Sequence, residues 1–537
     1  MTKNHRLVLV PPAQITHGVV TALAWLWLFS PLAWLWPTSR NCVDIARSAA
    51  LLAFFLLWRP TLRMAAVVLV VIGFAHLVYS LAVDSVPDEY FWFTVFGSSF
   101  REAWEYVNSY RYSDAFRLVS WLLLACLAVY WLWSRATVLR GRWRWFGWIS
   151  LLVWLVWLIN AAMGDGTVDA IKFLTLSKVE RTYPSMFIRS YLYYRESSAR
   201  MFAIPPVPEP MQPPMADVVV LVIGESASAQ RWSLLGYQGN PTNAALLSWR
   251  EGIVALPVQT NGNNTALAAP VLLAGQLLEH TGGVLTYLDK AAKAGFKVVT
   301  LSNQTRFDIG ESFIFTAFSQ RSAQFHQLQP GAQLDEALTP LLTQALNGTP
   351  ASEKLMLTVH TYGSHPNVKD RYPSATAQWP DAYDNSMAYT SGLLADWIAR
   401  LARIDERRVV LIYISDHGLT FPACGGSYAH GATRSAYEVP LMLWANARFR
   451  ADNAAWWAQW QARAQQAVAA DGTLRFTNLL MPFALDDLLG MVPTSKLPAA
   501  PMATVTTQPL LYPPPADARQ CEPFTPYDVG KALKQSH

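Results

Sequence analysis

Apolar positions are distributed very unevenly along this chain. Up to about Gly164 they form long runs, Thr16 to Pro37, Ile45 to Trp58, Leu62 to Val83, Arg117 to Trp133 and Trp143 to Met163, separated by short polar stretches. A bilayer core takes about 20 mostly apolar residues per helix, so these runs predict five membrane-spanning helices. Ile45 to Trp58 is shorter and carries Arg47 near one end, which calls for snorkelling or a thinned bilayer. No small-residue cleavage site follows the first run, so it reads as a span rather than a signal peptide. From Asp165 the pattern is mixed, with LTLSKVERTYPSMFIRSYLYYRESSARMF predicting helical pieces at the membrane surface. The proline-rich IPPVPEPMQPP that follows predicts a stiff extended linker. Beyond it, DVVVLVIG, FKVVTLSN, KLMLTVHT, RVVLIYISD and VPLMLWAN predict buried strands, and TYLDKAAKAG and SMAYTSGLLADWIARLARI predict covering helices. That alternation predicts a mostly parallel sheet between helices, with ligands at the carboxyl ends of the strands. The organisation expected is therefore 1–164 as a five-span anchor, 165–214 as surface helices and linker, and 215–537 as one α/β domain.

Composition agrees with this division. The 537 residues are 52% hydrophobic and only 15% charged, too apolar for a wholly soluble chain of this size. Basic residues then orient the spans: Lys3 and Arg6, Arg59 and Arg63, and Arg135, Arg140, Arg142 and Arg144 mark cytoplasmic ends. The connection from Asp84 to Phe116, with Asp88, Glu89, Glu102 and Glu105, is acidic and external. Five spans starting inside place everything after Gly164 outside, which the resemblance described below makes the periplasmic side of a bacterial inner membrane. Within the external connection, FREAWEYVNSY predicts a short interfacial helix presenting Glu102 and Glu105 beside aromatic residues, either an ordinary surface helix or a contact for a lipid headgroup amine. The net charge of +5 is small and dispersed, which gives no nucleic-acid signal. Cys424 and Cys521 fall in the soluble part, and the sequence leaves open whether they pair.

If strand ends build the site, the residues just after the strands carry the chemistry. Glu225 follows the first strand, His360 and His365 lie at and after KLMLTVH, Asp416 and His417 follow RVVLIYIS, and His430 follows a glycine-rich loop. Carboxylates and imidazoles at one sheet edge suit zinc, which accepts mixed oxygen and nitrogen donors. Singly, each has a duller reading as a helix cap or structural pair; jointly they point to a metal. In TNGNNTALAAPVL, Thr265 is a candidate nucleophile, because a bound metal lowers the pKa of a hydroxyl, and ALAAPVLLAG enters a helix whose first amides can face an anion. A polar turn with a capping threonine is the alternative.

Together, IGESASAQRWSLLGY, NNTALAAP, VHTYGSHPNVKDRYP, YISDHG and YAHGATRSAYEVPLMLW resemble the phosphoethanolamine transferases that modify lipid A, lipopolysaccharide core or periplasmic glucans, in the alkaline phosphatase-sulfatase superfamily. The anchor and the FREAWEY segment share that resemblance, so it spans nearly the whole chain. It implies an α/β/α sandwich of alkaline phosphatase type, with Glu225, Thr265, Asp416 and His417 holding a catalytic zinc and a second zinc left open. It implies that Thr265 carries the transferred group, that His365, His430 and His360 bind phosphate or the second metal, and that Glu102 meets the donor. Asn264, Asn303 and Gln304 fall where substrate contacts are expected. The implied donor is phosphatidylethanolamine and the acceptor an envelope glycan or glycolipid. Paired cysteines flank the nucleophile in the lipid A enzymes; here Asn263 and Ala269 stand in that neighbourhood, which leans towards the cysteine-poor core or glucan members. Phosphoglycerol transfer, sulfate or phosphate ester hydrolysis, and a catalytically silent role in envelope assembly are the rival functions.

Overall fold

A computed structural model describes residues 12–35, 39–83, 91–92, 95, 112–135, 138–163, 182–183, 185–188, 190–192, 204–276, 284–304, 313–328, 334–424, 428–491 and 518–524. The external segment with Glu102 and Glu105 lies outside them. By internal contacts the chain divides into two units, Met1–Phe91 with Tyr110–Tyr193, and Trp92–Ser109 with Tyr194–His537.

In the first unit each apolar run is helical: Pro12–Trp27 with Pro31–Trp34, Ser39–Leu51, Arg59–Val83, Tyr112–Ser134 and Arg144–Met163. The first breaks where Pro31 lacks an amide hydrogen, and the second carries Asp44 and Arg47 and runs on into a 3-10 turn at Ala53–Leu57. Arg59–Leu81 and Ser113–Ser134 are long and apolar enough to cross a membrane. With little hydrophobic drive between helices in lipid, close approach and buried polar contacts hold such a bundle. A Cβ at Gly73 would lie 2.7 Å from the buried Trp121 ring, so only glycine lets that indole through. Indole N–H groups also bridge helices, Trp121 Nε1 to Ser30 Oγ at 2.9 Å and Trp25 Nε1 to Ala49 O at 3.0 Å.

The second unit is built on a mixed sheet. In chain order its strands are β1 (Val218–Gly224), β2 (Ile253–Gln259), β3 (Phe296–Ser302), β4 (Gln324–Gln327), β5 (Lys354–His360), β6 (Val409–Ser415) and β7 (Glu438–Ala445). They lie in the order β2-β7-β6-β1-β5-β3-β4, and β7 runs antiparallel to the other six. β1 and β6 are buried at every position, as expected of central strands covered on both faces. β2 and β4 are edge strands that the apolar pattern does not announce. β2 contains Pro257, tolerated at an edge where one ladder is missing, and β4 is short with alternating exposure. The helix Ala382–Leu401 begins earlier than its apolar stripe because Asp381 caps it, accepting from Tyr383 N at 2.9 Å.

The proline-rich residues 204–214 carry no helix or strand, and Met211 N reaches Gly490 O at 2.8 Å. Cys424 and Cys521 are joined in a disulfide with Cα atoms 5.0 Å apart. The bridge fastens residues 518–524 beside the loop that carries His430, where Phe524 N donates to Ala432 O at 2.8 Å. Because β6 lies at the centre of the core, Leu411→Ala is expected to cost about 2–5 kcal/mol, read as a lower thermal unfolding midpoint of the second unit. An unchanged midpoint would contradict that burial.

Candidate active site

The carboxyl ends of β1 and β6 lie side by side, paired Gly224 to Ser415, so the residues that follow both strands emerge together. Among the described residues, Glu225, Asp416 and His417 form one cluster whose ligand atoms all lie within 4.8 Å of one another. His417 Nε2 is 3.1 Å from Glu225 Oε1 and 3.4 Å from Asp416 Oδ2. All three side chains are buried. Thr265, at the start of the helix Thr265–Ala274, donates its hydroxyl to Glu225 Oε2 at 3.1 Å and lies 3.5 Å from His417 Nε2.

Local chemistry explains the placement. His417 Nδ1 lies 2.8 Å from Gly418 O, a bond it makes as an N–H donor, which orients the ring so that Nε2 faces the carboxylates. Asn264 caps the Thr265 helix by accepting from Leu267 N at 3.1 Å, and Asn263 Nδ2 donates to Gly431 O at 3.2 Å. Ser226 sits at φ 59, in the left-handed region, where a Ser side chain costs energy. Tyr383 clamps that turn, its hydroxyl donating to Ser226 O at 2.6 Å and accepting from Ser228 N at 2.8 Å. Gln304 Nε2, a candidate for substrate contact, donates to Glu225 Oε2 at 3.3 Å and Thr361 O at 2.8 Å and so also steadies the carboxylate.

The remaining candidates are placed as follows. His430 lies beside His417 with ring centroids 4.6 Å apart, and His365 lies 6.4 Å from His430. His360 is further inside, 3.4 Å from Ser302 Oγ and edge-on to Phe318. Asn303 donates to Asp335 Oδ1 at 2.8 Å. Asp335 in turn accepts from Tyr362 N and Gly363 N, both at 2.8 Å, and so shapes the loop to His365. Gly363 has φ 53, and a Cβ there would meet Glu225 O at 2.5 Å. Asp335, Gly363 and Tyr383 escape a motif search because each acts on the backbone that carries a ligand. The glycine between two histidine-bearing positions in VHTYGSH is the one local signal.

These groups fit a bound cation. Asp416 Oδ2 is buried without a hydrogen-bond partner, and a carboxylate oxygen left so is costly. Burial and the charge of Glu225 push Asp416 up to about 7. Burial opposes a charge on His417, yet the Asp416 and Glu225 carboxylates raise it to about 9. A proton thus occupies the position that a metal would claim. Burial and the neighbouring His417 hold His430 well below the ordinary histidine range, which leaves its ring neutral and able to accept.

A sulfatase family model matches residues 217–471, the stretch that holds this cluster. YhbX of Escherichia coli (strain K12) is 31% identical over 42% of this chain, and the match spans 43% of the length of YhbX. The phosphoethanolamine transferase CptA of Salmonella typhimurium is 24% identical across 90% of this chain and 91% of its own. The fold of the integral membrane protein lipooligosaccharide phosphoethanolamine transferase A (EptA) from Neisseria meningitidis superposes with a TM-score of 0.58, at 19% identity, over 88% of this chain and 95% of that one. The chain is thus similar to a curated phosphoethanolamine transferase across most of its length and shares the fold of a solved one.

In this chain the Thr265 turn, the ends of β1 and β6 and the His430 loop are tied to one another by hydrogen bonds. Gly363→Ala is expected to displace Glu225 and weaken zinc retention by about 10–100-fold, measured by metal content after dialysis. Gly392→Ala is the neutral control, since nothing lies within 4 Å of a Cβ there. Zinc must also displace the proton held by His417, so its apparent affinity should rise about tenfold per pH unit between pH 7 and 9 and fall on acidification. Titration calorimetry across that range checks the slope, and a flat profile would contradict it.

Proposed function

We propose that this protein transfers phosphoethanolamine from phosphatidylethanolamine to an envelope glycan or glycolipid through a covalent intermediate on Thr265. The observation that carries this reading is the hydroxyl of Thr265 directed at Glu225 within a buried carboxylate-imidazole cluster. Glu225, Asp416 and His417, with the Thr265 oxygen, are the residues that would hold a zinc ion. Bound there, zinc supplies Lewis-acid charge that lowers the pKa of the hydroxyl and offsets charge at phosphorus.

The residues of the chain do the rest. Glu225 Oε2 accepts the Thr265 hydrogen bond and orients the oxygen for in-line attack. In the first step the Thr265 hydroxyl gives up its proton as the Oγ–P bond forms, the P–O bond to diacylglycerol breaks, and the diacylglycerol oxygen takes up a proton. In the second the acceptor hydroxyl gives up its proton as its oxygen bonds to phosphorus, the Thr265 Oγ–P bond breaks, and the Thr265 oxygen regains a proton. His365 and His430 bind the phosphate or exchange these protons, and His360 backs them from inside.

The same reading makes residues 1–164 a five-span anchor in a bacterial inner membrane, with the amino terminus cytoplasmic and residues 215–537 periplasmic. Five helical runs and the arginine distribution support it. Anchoring confines the enzyme to the surface where its lipid donor resides and so raises the effective concentration of that donor. Asn263 and Ala269 near the nucleophile favour acceptors in the core or glucan class over lipid A.

Intact-mass measurement of the detergent-purified chain after incubation with phosphatidylethanolamine tests the mechanism. The expected result is an adduct of phosphoethanolamine mass on wild type, none on Thr265→Ala, and loss of the adduct after chelation with recovery on adding zinc. An adduct that persists in Thr265→Ala would refute the assigned nucleophile.

A further inference from the structure

Several stretches of the first unit converge at one end of its helices. Leu139 N donates to Leu56 O at 2.9 Å, which ties residues 138–144 to the 3-10 turn Ala53–Leu57. Arg63, near the start of the helix Arg59–Val83, donates through Nε and Nη2 to Trp133 O at 3.1 and 2.9 Å, close to the end of Tyr112–Ser134. Trp58 meets Trp148 edge-on with centroids 5.5 Å apart. These ties gather Arg59, Arg63, Arg135, Arg140, Arg142 and Arg144 at that end. Arg63 is committed to the Trp133 carbonyl, and the other five are exposed.

No Asp or Glu occurs in residues 53–63 or 130–149, and none of these arginines is in an ion pair among the described residues. Between them stand exposed indoles, Trp143 at 62% and Trp145 at 72%, and the Arg142 guanidinium lies over the Trp143 ring. Crowded like charges without a protein counter-charge require anions from outside. Exposed tryptophans beside arginines mark the headgroup layer. The guanidinium fork matches the two free oxygens of a phosphodiester.

We propose that this end is a binding collar for anionic phospholipid, whose phosphodiester groups lie among Arg135, Arg140, Arg142 and Arg144 with the indoles packed against the glycerol region. A zwitterionic headgroup is disfavoured, because its ammonium would enter a cluster that holds arginines and no carboxylate. The lipid bound here is therefore chemically different from the donor proposed for Thr265. This inference rests on the anchor part of the reading above.

The test uses the full chain in detergent, with phosphatidylglycerol and phosphatidylcholine as probes and native mass spectrometry as the readout. Wild type is expected to retain phosphatidylglycerol about tenfold more than phosphatidylcholine. The triple variant Arg140→Gln, Arg142→Gln, Arg144→Gln should lose that preference while keeping its lipid-free unfolding midpoint, and the corresponding lysine variant should keep most of it. Equal retention of both lipids by wild type, or an undiminished preference in the glutamine variant, overturns the proposal. Complete displacement of the lipid by millimolar inorganic phosphate would make this a free-anion site and overturns it too. Release of wild type from membranes by alkaline carbonate would overturn both the collar and the anchor, whereas a retained anchor without anionic preference overturns the collar alone.

Discussion

Two carboxylates and an imidazole are buried against one another where β1 and β6 end, and everything else in the second unit follows from the need to neutralise them. Water cannot reach these groups to solvate their charge. Metal-free, burial and the charge of Glu225 raise Asp416 to about 7 and the two carboxylates raise His417 to about 9, while His417 holds Glu225 well below the usual carboxylate range against its burial. A cation would relieve that arrangement, and in the mechanism we propose the threonine hydroxyl held at its edge becomes the nucleophile.

The surroundings serve to hold that cluster in place. Ser226 stands in a strained conformation directly after Glu225, and the buried Tyr383 hydroxyl fixes the turn from two sides. Gly363 lets one loop backbone press against Glu225, Gln304 steadies the carboxylate itself, and Asp335 fastens the loop's amides. The Thr265 turn is joined to the His430 loop through Asn263, and that loop is closed from the other side by the Cys424–Cys521 bridge.

Much of this is legible in the sequence, for physical reasons that differ by element. β1, β3, β5, β6 and β7 are apolar runs because both faces of a central strand are covered. Glu225, Asp416 and His417 are visible because ligands cluster at strand ends in this architecture. β2 and β4 are not visible, since an edge strand tolerates Pro257 or alternates with solvent and so loses the continuous apolar signature. Asp335, Tyr383 and the role of Gln304 are hidden because their partners are far away along the chain, Tyr383 reaching Ser226 from 157 residues off. The pairing of Cys424 with Cys521, 97 residues apart, is likewise a fact of folding that no local pattern encodes. In the first unit the helical runs are plain from hydropathy, while the Gly73–Trp121 contact emerges only from packing.

The account stands or falls on the donor set at the ends of β1 and β6. X-ray absorption at the zinc edge, recorded on the purified full chain and on Asp416→Asn, reads that set directly. The prediction is near-stoichiometric zinc in the wild type with a first shell of oxygen and a single imidazole nitrogen and no sulfur, and a marked loss of zinc in the variant. A sulfur-containing shell, or zinc retained unchanged when Asp416 is replaced, would contradict it.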